Sequence, residues 1–156
     1  KCIIFDFDGV FTDNRVYTNQ HGEETVACWR SDGLGLNLLK KIGFPLWVVS
    51  SEKNIVVSMR CKKLDIPCIQ GCDDKAEAIK ELLRKESISL DSTAFVGNDI
   101  NDESCMRIVG FPIAVADAYP EIINIADYVT KRNGGKGAVR EVCDLLIKYQ
   151  ELISGT

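Results

Sequence analysis

Two acidic residues, Asp6 and Asp8, stand at the end of a near-continuous apolar run, Cys2 to Phe7. Side chains two positions apart in an extended chain point to the same side, so both carboxyl groups can face one site. If the run is a parallel strand, its carboxyl end is where open α/β sheets bind their ligands. Gly9 permits the chain to leave such a strand sharply. Paired carboxylates in this place suit a hard cation such as Mg²⁺ and nucleophilic catalysis by a carboxylate.

Ser50 and Lys75 could hold a phosphate group beside those acids. Ser50 ends a second apolar run, where a hydroxyl can donate a hydrogen bond to a phosphate oxygen, and Ser51 is an adjacent rival for this role. Lys75 opens an amphipathic helix. A cation there opposes the helix dipole, so a phosphate and carboxylates in front of it would account for its position. The alternative is that Lys75 pairs with Asp73 or Asp74 on a solvated face.

Further oxygen ligands follow Gly97, at the end of another apolar run. Asn98 and Asp99 come next, and their amide and carboxylate oxygens can complete an oxygen cage for Mg²⁺. Either Asn98 is a neutral ligand or Asp99 reaches the metal instead. We expect Asp102 to orient Lys75 rather than to touch the metal. The candidate metal ligands are Asp6, Asp8, Asn98 and Asp99.

The elements that must position these residues alternate along the chain. Four further apolar runs resemble strands: Pro45 to Ser50, Pro67 to Gln70, Thr93 to Gly97 and Pro112 to Ala116. Helical spacing of apolar residues is found around 34–39, 56–64, 76–83 and 139–146. Strand–helix alternation of this kind predicts a doubly wound parallel α/β sheet with right-handed crossovers. The segment Arg15 to Trp29 departs from this strand–helix alternation. Its pattern predicts a β-hairpin, with strands over 16–18 and 25–29 around the loop 19–22.

The composition indicates one globular domain over residues 1–156, with 46% apolar and 27% charged residues. A net charge of −4 and the lack of a run of Lys and Arg argue against a nucleic-acid partner. No apolar stretch approaches the ~20 residues that span a bilayer, so no membrane partner is expected. Seven Cys, an odd number, without a secretion signal favour reduced thiols and a cytoplasmic location.

In its motifs and their order, the chain resembles the haloacid dehalogenase superfamily of phosphohydrolases over essentially its whole length. The resemblance implies that Asp6 attacks phosphorus to form an aspartyl-phosphate, and that Asp8 protonates the leaving oxygen and then activates water. Ser50 and Lys75 match the next two signature positions. Asn98 departs from the pattern, because the family more often has Asp there, and weaker metal affinity would follow. The resemblance thus implies a Mg²⁺-dependent phosphatase with a Rossmann-like fold.

The resemblance is to the branch of that superfamily without a cap domain. Neither the stretch from Asp13 to Ser50 nor that from Ser50 to Lys75 can fold into a cap. The capless branch shields its active site by oligomerisation, usually as a tetramer in which the hairpin docks on a neighbouring copy. The closing segment Asn133 to Glu141 also looks like this group. A homotetramer is therefore expected.

Within the branch, Glu52 favours nine-carbon, sialic acid-type sugar acids carrying a 9-phosphate as substrates. Octulosonate 8-phosphate phosphatases usually have Arg at that place and are the alternative. A second alternative is a non-catalytic tetramerisation domain of an acylneuraminate cytidylyltransferase, because Val49 to Asn54 resembles those domains and Lys1 looks like a start inside a longer chain. Arg60 and Lys63, a helical turn apart, resemble sugar acid-binding positions or are a basic solvated face. The candidate substrate-binding residues are Gly9, Ser51, Glu52, Arg60, Lys63 and Arg140.

Overall fold

A parallel sheet forms the centre of the computed structural model, which describes residues 1–155. The strands are β1 (Cys2–Phe5), β2 (Tyr17–Thr18), β3 (Glu24–Thr25), β4 (Leu46–Val49), β5 (Cys68–Ile69), β6 (Thr93–Gly97), β7 (Phe111–Ala114) and β8 (Tyr128–Val129). Six of them pair in the order β5-β4-β1-β6-β7-β8, and every pairing is parallel. The predicted doubly wound α/β fold is confirmed.

Helices connect the strands and cover the sheet. They are α1 (Asp32–Lys41), α2 (Val56–Leu64), α3 (Lys75–Glu86), α4 (Glu103–Ile108), α5 (Pro120–Ile123) and α6 (Ala138–Ser154). Every residue of β1, β4 and β6 is buried. Because alternate residues of a strand point to opposite faces, both faces of the sheet are covered, and its strands are therefore continuous apolar runs. In the part of the chain described, no helix is both long and apolar enough to cross a membrane.

The predicted hairpin is present but shorter than expected. The two strands β2 and β3 contain two residues each, and the predicted second strand continues only as a single antiparallel bridge between Thr12 and Cys28. Asn19 closes the loop between the two strands by accepting hydrogen bonds from the backbone N–H groups of His21 and Glu23. The hairpin is a two-stranded sheet separate from the six-stranded one, with Val16 and Tyr17 about half exposed.

Three short elements were not predicted from the sequence: α4, α5 and β8. Each contains six residues or fewer, which is too short for apolar periodicity to distinguish a helix from a strand or a loop. They complete the far side of the sheet, where β8 pairs with β7 as an edge strand.

The strand order itself assembles a site. β1 lies between β4 and β6. The chain passes from β1 to β4 and β5 on one side, and then crosses to β6, β7 and β8 on the other side. This is the topological switch point at which open α/β sheets form a crevice. Asp6, Ser50 and Asn98 each follow one of these three strands directly, and the fold therefore brings them to the same edge.

Candidate active site

A small open pocket lies at the carboxyl ends of β1, β4 and β6. It has a volume of about 70 Å³ and is lined by Asp6, Asp8, Asn14, Ser50, Ser51, Asn98, Asp99 and Asn101. Ligand pockets commonly reach roughly 300–1,000 Å³, so this one can hold a phosphate-sized group but cannot by itself enclose a sugar. Two larger cavities, of about 430 Å³ each, lie at the amino-terminal edge of the sheet, beside Lys1 and Phe44. Because several carboxylates converge on the small pocket, it is the candidate active site.

Lys75 is buried beneath this pocket between two carboxylates. Its Nζ donates to Oδ1 of Asp6 at 3.1 Å and to Oδ1 of Asp102 at 2.5 Å. Burial lowers the pKa of Lys75, but the two carboxylates outweigh burial, so its pKa is raised and the ammonium stays charged. The alternative pairing with Asp73 or Asp74 is wrong, because Asp74 instead caps α3 by accepting from the backbone N–H of Glu77. The expected contact of Asp102 with Lys75 is present.

The two acids of the first loop differ in their electrostatics. Burial, and then the charge of Asp102, raise the pKa of Asp6 to about 7 against the opposing effect of Lys75. Asp8 is half-buried, and burial followed by the nearby charge of Glu52 raises its pKa as well. The raised pKa of Asp8 suits it to general acid catalysis, because a carboxyl group must carry a proton in order to donate one. The ammonium of Lys75, 3.1 Å from Asp6, favours the carboxylate form of Asp6 and opposes the burial that raises its pKa.

Asn98 contributes a free oxygen to the site. Its Oδ1 is buried and accepts no hydrogen bond from the residues that the structure describes. Its backbone N–H is held by Oδ2 of Asp102 at 2.9 Å, whereas Oδ1 of Asp99 is already engaged with the N–H of Ile100. An orphaned carboxamide oxygen beside two carboxylates fits a hard cation such as Mg²⁺. Within residues 1–155 no three His, Cys, Asp or Glu side chains lie together as a metal site.

Glycines fix the shape of the loop that follows β1. Gly9 has a φ of 78°, and a Cβ on it would lie 2.0 Å from Nδ2 of Asn98. Any larger residue would therefore displace the candidate metal ligand. Behind the loop, a Cβ on Gly134 would lie 1.6 Å from the carbonyl oxygen of Gly9, and Gly135 donates its N–H to the carbonyl of Val10. The glycine-rich segment before α6 thus packs against the loop after β1 and supports it.

The predicted substrate-binding residues are divided between the pocket and its surroundings. Gly9 is buried under Asn98, and Ser51 lines the pocket. Glu52 lies close enough to affect Asp8, but its Oε1 accepts the N–H groups of the two residues that follow it, at 2.7 Å each.

Three predicted basic residues do not line the pocket. Arg60 donates from Nη2 to the carbonyl of Trp29, and Lys63 is exposed. The guanidinium of Arg140 pairs with Asp144 at 2.7 Å. Their roles in substrate binding stay predictions.

Two polar residues at the pocket were missed by sequence reasoning, Asn14 and Asn101. Asn14 has a φ of 63°, a conformation in which Asn is more often found than most residues, and its N–H donates to Oγ1 of Thr12. An Asn in the turn directly after Asp13 is the signal that could have identified it.

Comparison with known proteins places these features in a family. A family model for haloacid dehalogenase-like hydrolases matches residues 52–142. The chain is 40% identical over 151 residues to 3-deoxy-D-manno-octulosonate 8-phosphate phosphatase KdsC of Escherichia coli K12, which covers 96% of this chain and 80% of the relative. It is 36% identical to the KdsC phosphatase of Yersinia pestis, over 99% of this chain and 83% of that protein.

Solved structures agree with the sequence relatives. The octulosonate 8-phosphate phosphatase of Moraxella catarrhalis, in complex with magnesium, phosphate and KDO, superposes with a TM-score of 0.92 at 37% identity, over 99% of this chain and 92% of that one. The cobalt-bound octulosonate 8-phosphate phosphatase of Haemophilus influenzae gives a TM-score of 0.91 at 31% identity, over 96% and 88% of the two chains. These similarities favour the octulosonate alternative over the nine-carbon substrates that Glu52 suggested.

Proposed function

The chain belongs to the haloacid dehalogenase-like hydrolase family, and on this premise we propose that it hydrolyses the phosphate ester of a 3-deoxy keto sugar acid. The observation that carries the proposal is the buried contact of Lys75 with both Asp6 and Asp102, beneath a pocket that also contains Asp8. That arrangement provides a carboxylate nucleophile, an acid and a cation in a space sized for phosphate. The protein is a phosphatase that uses Mg²⁺.

In the first half of the proposed reaction, a carboxylate oxygen of Asp6 attacks phosphorus and forms a new P–O bond. The ester P–O bond breaks, and the leaving sugar oxygen takes the proton of Asp8. Lys75 holds the other oxygen of Asp6 and keeps the carboxylate oriented. Oγ of Ser50 accepts the N–H of Glu52 at 3.1 Å, so its hydroxyl hydrogen remains available to a phosphate oxygen.

In the second half, Asp8 is a carboxylate and removes a proton from water. The water oxygen attacks phosphorus, the bond from phosphorus to Asp6 breaks, and inorganic phosphate leaves. Asp8 is protonated again, so the cycle closes without a net change in the enzyme. Asp6, Asp8 and the free Oδ1 of Asn98 are the groups that would hold Mg²⁺. Bound there, the cation supplies positive charge to the phosphate oxygens and keeps Asp6 ionised.

3-Deoxy-D-manno-octulosonate 8-phosphate is the first substrate we propose, because the relatives at 36–40% identity are phosphatases of that ester. Nine-carbon sugar acid 9-phosphates are the second candidate. Glu52 favours them, since a carboxylate near the leaving-group acid can accept hydrogen bonds from sugar hydroxyls or an amino group but cannot donate to a carboxylate.

We also propose that the active site is completed by a second copy of the chain. The pocket of one copy is too small for a sugar, and the hairpin that stands beside it exposes Val16 and Tyr17 by 54% and 53%. Side chains of Asn54 and Glu24 hydrogen bond at 3.0 Å and hold the hairpin over the loop after β4. A homotetramer with docked hairpins would enclose the sugar while leaving the phosphate site unchanged.

Phosphate release from the two esters tests the function. We expect Mg²⁺-dependent turnover of octulosonate 8-phosphate, with N-acetylneuraminate 9-phosphate measured under the same conditions. Asp6→Asn is the matched control, since it preserves size and polarity while removing the nucleophile. The proposal is overturned if the folded wild-type protein, with Mg²⁺ present, releases phosphate from neither ester faster than this control does.

A further inference from the structure

The hairpin turns one face toward the body of the protein. Glu24, Val26 and Cys28 are partly buried, whereas the residues between them are exposed. Val26 and Cys28 pack against the hydrophobic core, as expected for the inner face of an extended segment. Glu24 lies on the same inner face with a polar side chain, so it needs a hydrogen-bond partner there.

Asn54, in the loop after β4, is that partner. Its Nδ2 donates to Oε2 of Glu24 at 3.0 Å, and its Oδ1 accepts the N–H of Val56, the first residue of α2, at 3.1 Å. Both ends of the amide are thus used, and they join the hairpin to the start of α2. Within residues 1–155, this is the one hydrogen bond between a side chain of the hairpin and a side chain of that loop.

Two further hydrogen bonds continue from Asn54 to the phosphate pocket. The backbone N–H of Asn54 donates to Oε1 of Glu52 at 2.7 Å, and the N–H of Glu52 donates to Oγ of Ser50 at 3.1 Å. Ser50 is buried and lines the pocket. Three successive hydrogen bonds therefore lead from Glu24 in the hairpin to the hydroxyl that binds phosphate in the proposed reaction.

Two residues after β5 hold the same loop from its other side. Gly71 donates its N–H to the carbonyl of Glu52 at 3.0 Å, and Cys72 donates its N–H to the carbonyl of Ser50 at 3.2 Å. These contacts hold the backbone of the loop independently of the hairpin. Loss of the hairpin contact should therefore leave the loop folded and change the orientation of its side chains.

We propose that Glu24 and Asn54 are positioning residues that connect the hairpin to Ser50, so that the placement of the hairpin sets the orientation of the phosphate-binding hydroxyl. The inference rests on the proposed function, in which Ser50 binds the phosphate of the ester. Without the contact, phosphate is bound less tightly in the substrate and in the transition state alike, so KM rises while kcat stays nearly constant. A hairpin that docks on a second copy would in this way also act on the active site of its own chain.

Asn54→Ser breaks the contact without adding charge. Serine can still accept the N–H of Val56, since Ser caps helices about as well as Asn, but it is too short to reach Glu24. With Mg²⁺ present, we expect the Kd for inorganic phosphate, measured by calorimetry, to rise about threefold to tenfold, the size of one hydrogen bond. KM for octulosonate 8-phosphate should rise by the same factor, with kcat within about twofold of wild type.

Glu24→Ala breaks the same contact from the hairpin. It should raise the Kd for phosphate equally, and its combination with Asn54→Ser should bind phosphate no more weakly than either single variant. Glu23→Ala is the matched control, because it removes the neighbouring acid, whose carboxylate accepts from Asn19 within the hairpin instead of from the loop. It should leave the Kd unchanged.

An exchange of donor and acceptor decides whether the hydrogen bond itself carries the effect. Asn54→Asp leaves two acceptors facing each other and should weaken phosphate binding at least as much as Asn54→Ser. Adding Glu24→Gln supplies a donor again, so this double variant should recover to within about twofold of the wild-type Kd.

An unchanged Kd in Asn54→Ser would overturn the inference. So would an exchanged pair that binds phosphate no better than Asn54→Asp alone. If Asn54→Ser does not fold, Glu24→Ala is the deciding variant in the same assay. If the wild type binds phosphate but hydrolyses neither sugar acid ester, the proposed function is overturned, and the Kd values still decide the inference.

Discussion

The substitution Asp32→Asn should remove a loss of stability that the wild-type protein undergoes as the pH rises to neutral. Asp32 is fully buried, and its pKa is raised from 3.8 to about 6, first of all by desolvation. The folded state therefore binds this proton more tightly than the unfolded state does. The stability that Asp32 contributes is complete below pH 3.8 and is lost as the pH rises through about 6. An Asn at this position carries no charge and is free of that loss.

The size of this stability loss follows from the raised pKa of Asp32. Roughly two pH units at 1.36 kcal/mol per unit give about 3 kcal/mol in full, of which roughly 2 kcal/mol develops between about pH 4.5 and about pH 8. The new amide leaves a buried N–H group without a partner, which costs about 1–3 kcal/mol at every pH. The deciding quantity is therefore the change with pH in the free-energy difference between the two proteins, rather than its value at one pH.

Urea unfolding, followed by circular dichroism at both pH values and without divalent cations, measures this quantity. We expect Asp32→Asn to gain roughly 2 kcal/mol relative to the wild type on going to the higher pH, with unchanged m-values. Asp144→Asn, in which the lost carboxylate is half exposed, is the control and should shift by less than about 0.5 kcal/mol at either pH. A pH-independent difference for Asp32→Asn would show that Asp32 is not a desolvated acid, and the reasoning would fail.

Four further predictions concern the site and the assembly. Asp6→Asn should reduce turnover by more than the ~10²–10⁴-fold that general acid–base help contributes, and near-normal phosphate release by a folded variant would contradict the assigned nucleophile. Asn98→Asp should lower the Mg²⁺ concentration for half-maximal activity, since it adds a negative charge at the orphaned oxygen, without changing the ratio of kcat/KM between the two esters. Glu52→Arg should shift that ratio toward octulosonate 8-phosphate and leave the Mg²⁺ titration unchanged, and steady-state kinetics with both esters would detect a failure of either part. Replacing the hairpin tip, residues 19–22, with a tight turn should raise KM and weaken the oligomer more than it lowers the melting temperature, whereas a fully active monomer in sedimentation would refute the assembly.

Much of the chemistry could be read from local sequence. Asp6, Ser50 and Asn98 follow apolar runs, and in a parallel sheet such runs end at one edge, so the convergence of their side chains was predictable. The central strands were predicted from their continuous apolar runs, and four of the helices from the helical spacing of their apolar residues. Shorter elements such as α4, α5 and β8 carry too little periodicity, and the length of the hairpin strands was overestimated.

The residues and their spacing determined what kind of reaction this protein performs, because nucleophile, acid and phosphate-binding groups each need a particular side chain at a strand or helix end. Only the tertiary structure decided how those groups are tuned. Lys75 meets Asp6 from 69 residues away, and Asp32 is desolvated against Arg140, 108 residues away. Burial and charge at such contacts depend on elements distant in the sequence packing together, and the pKa shifts and the orphaned oxygens arise there, so no local pattern could contain them.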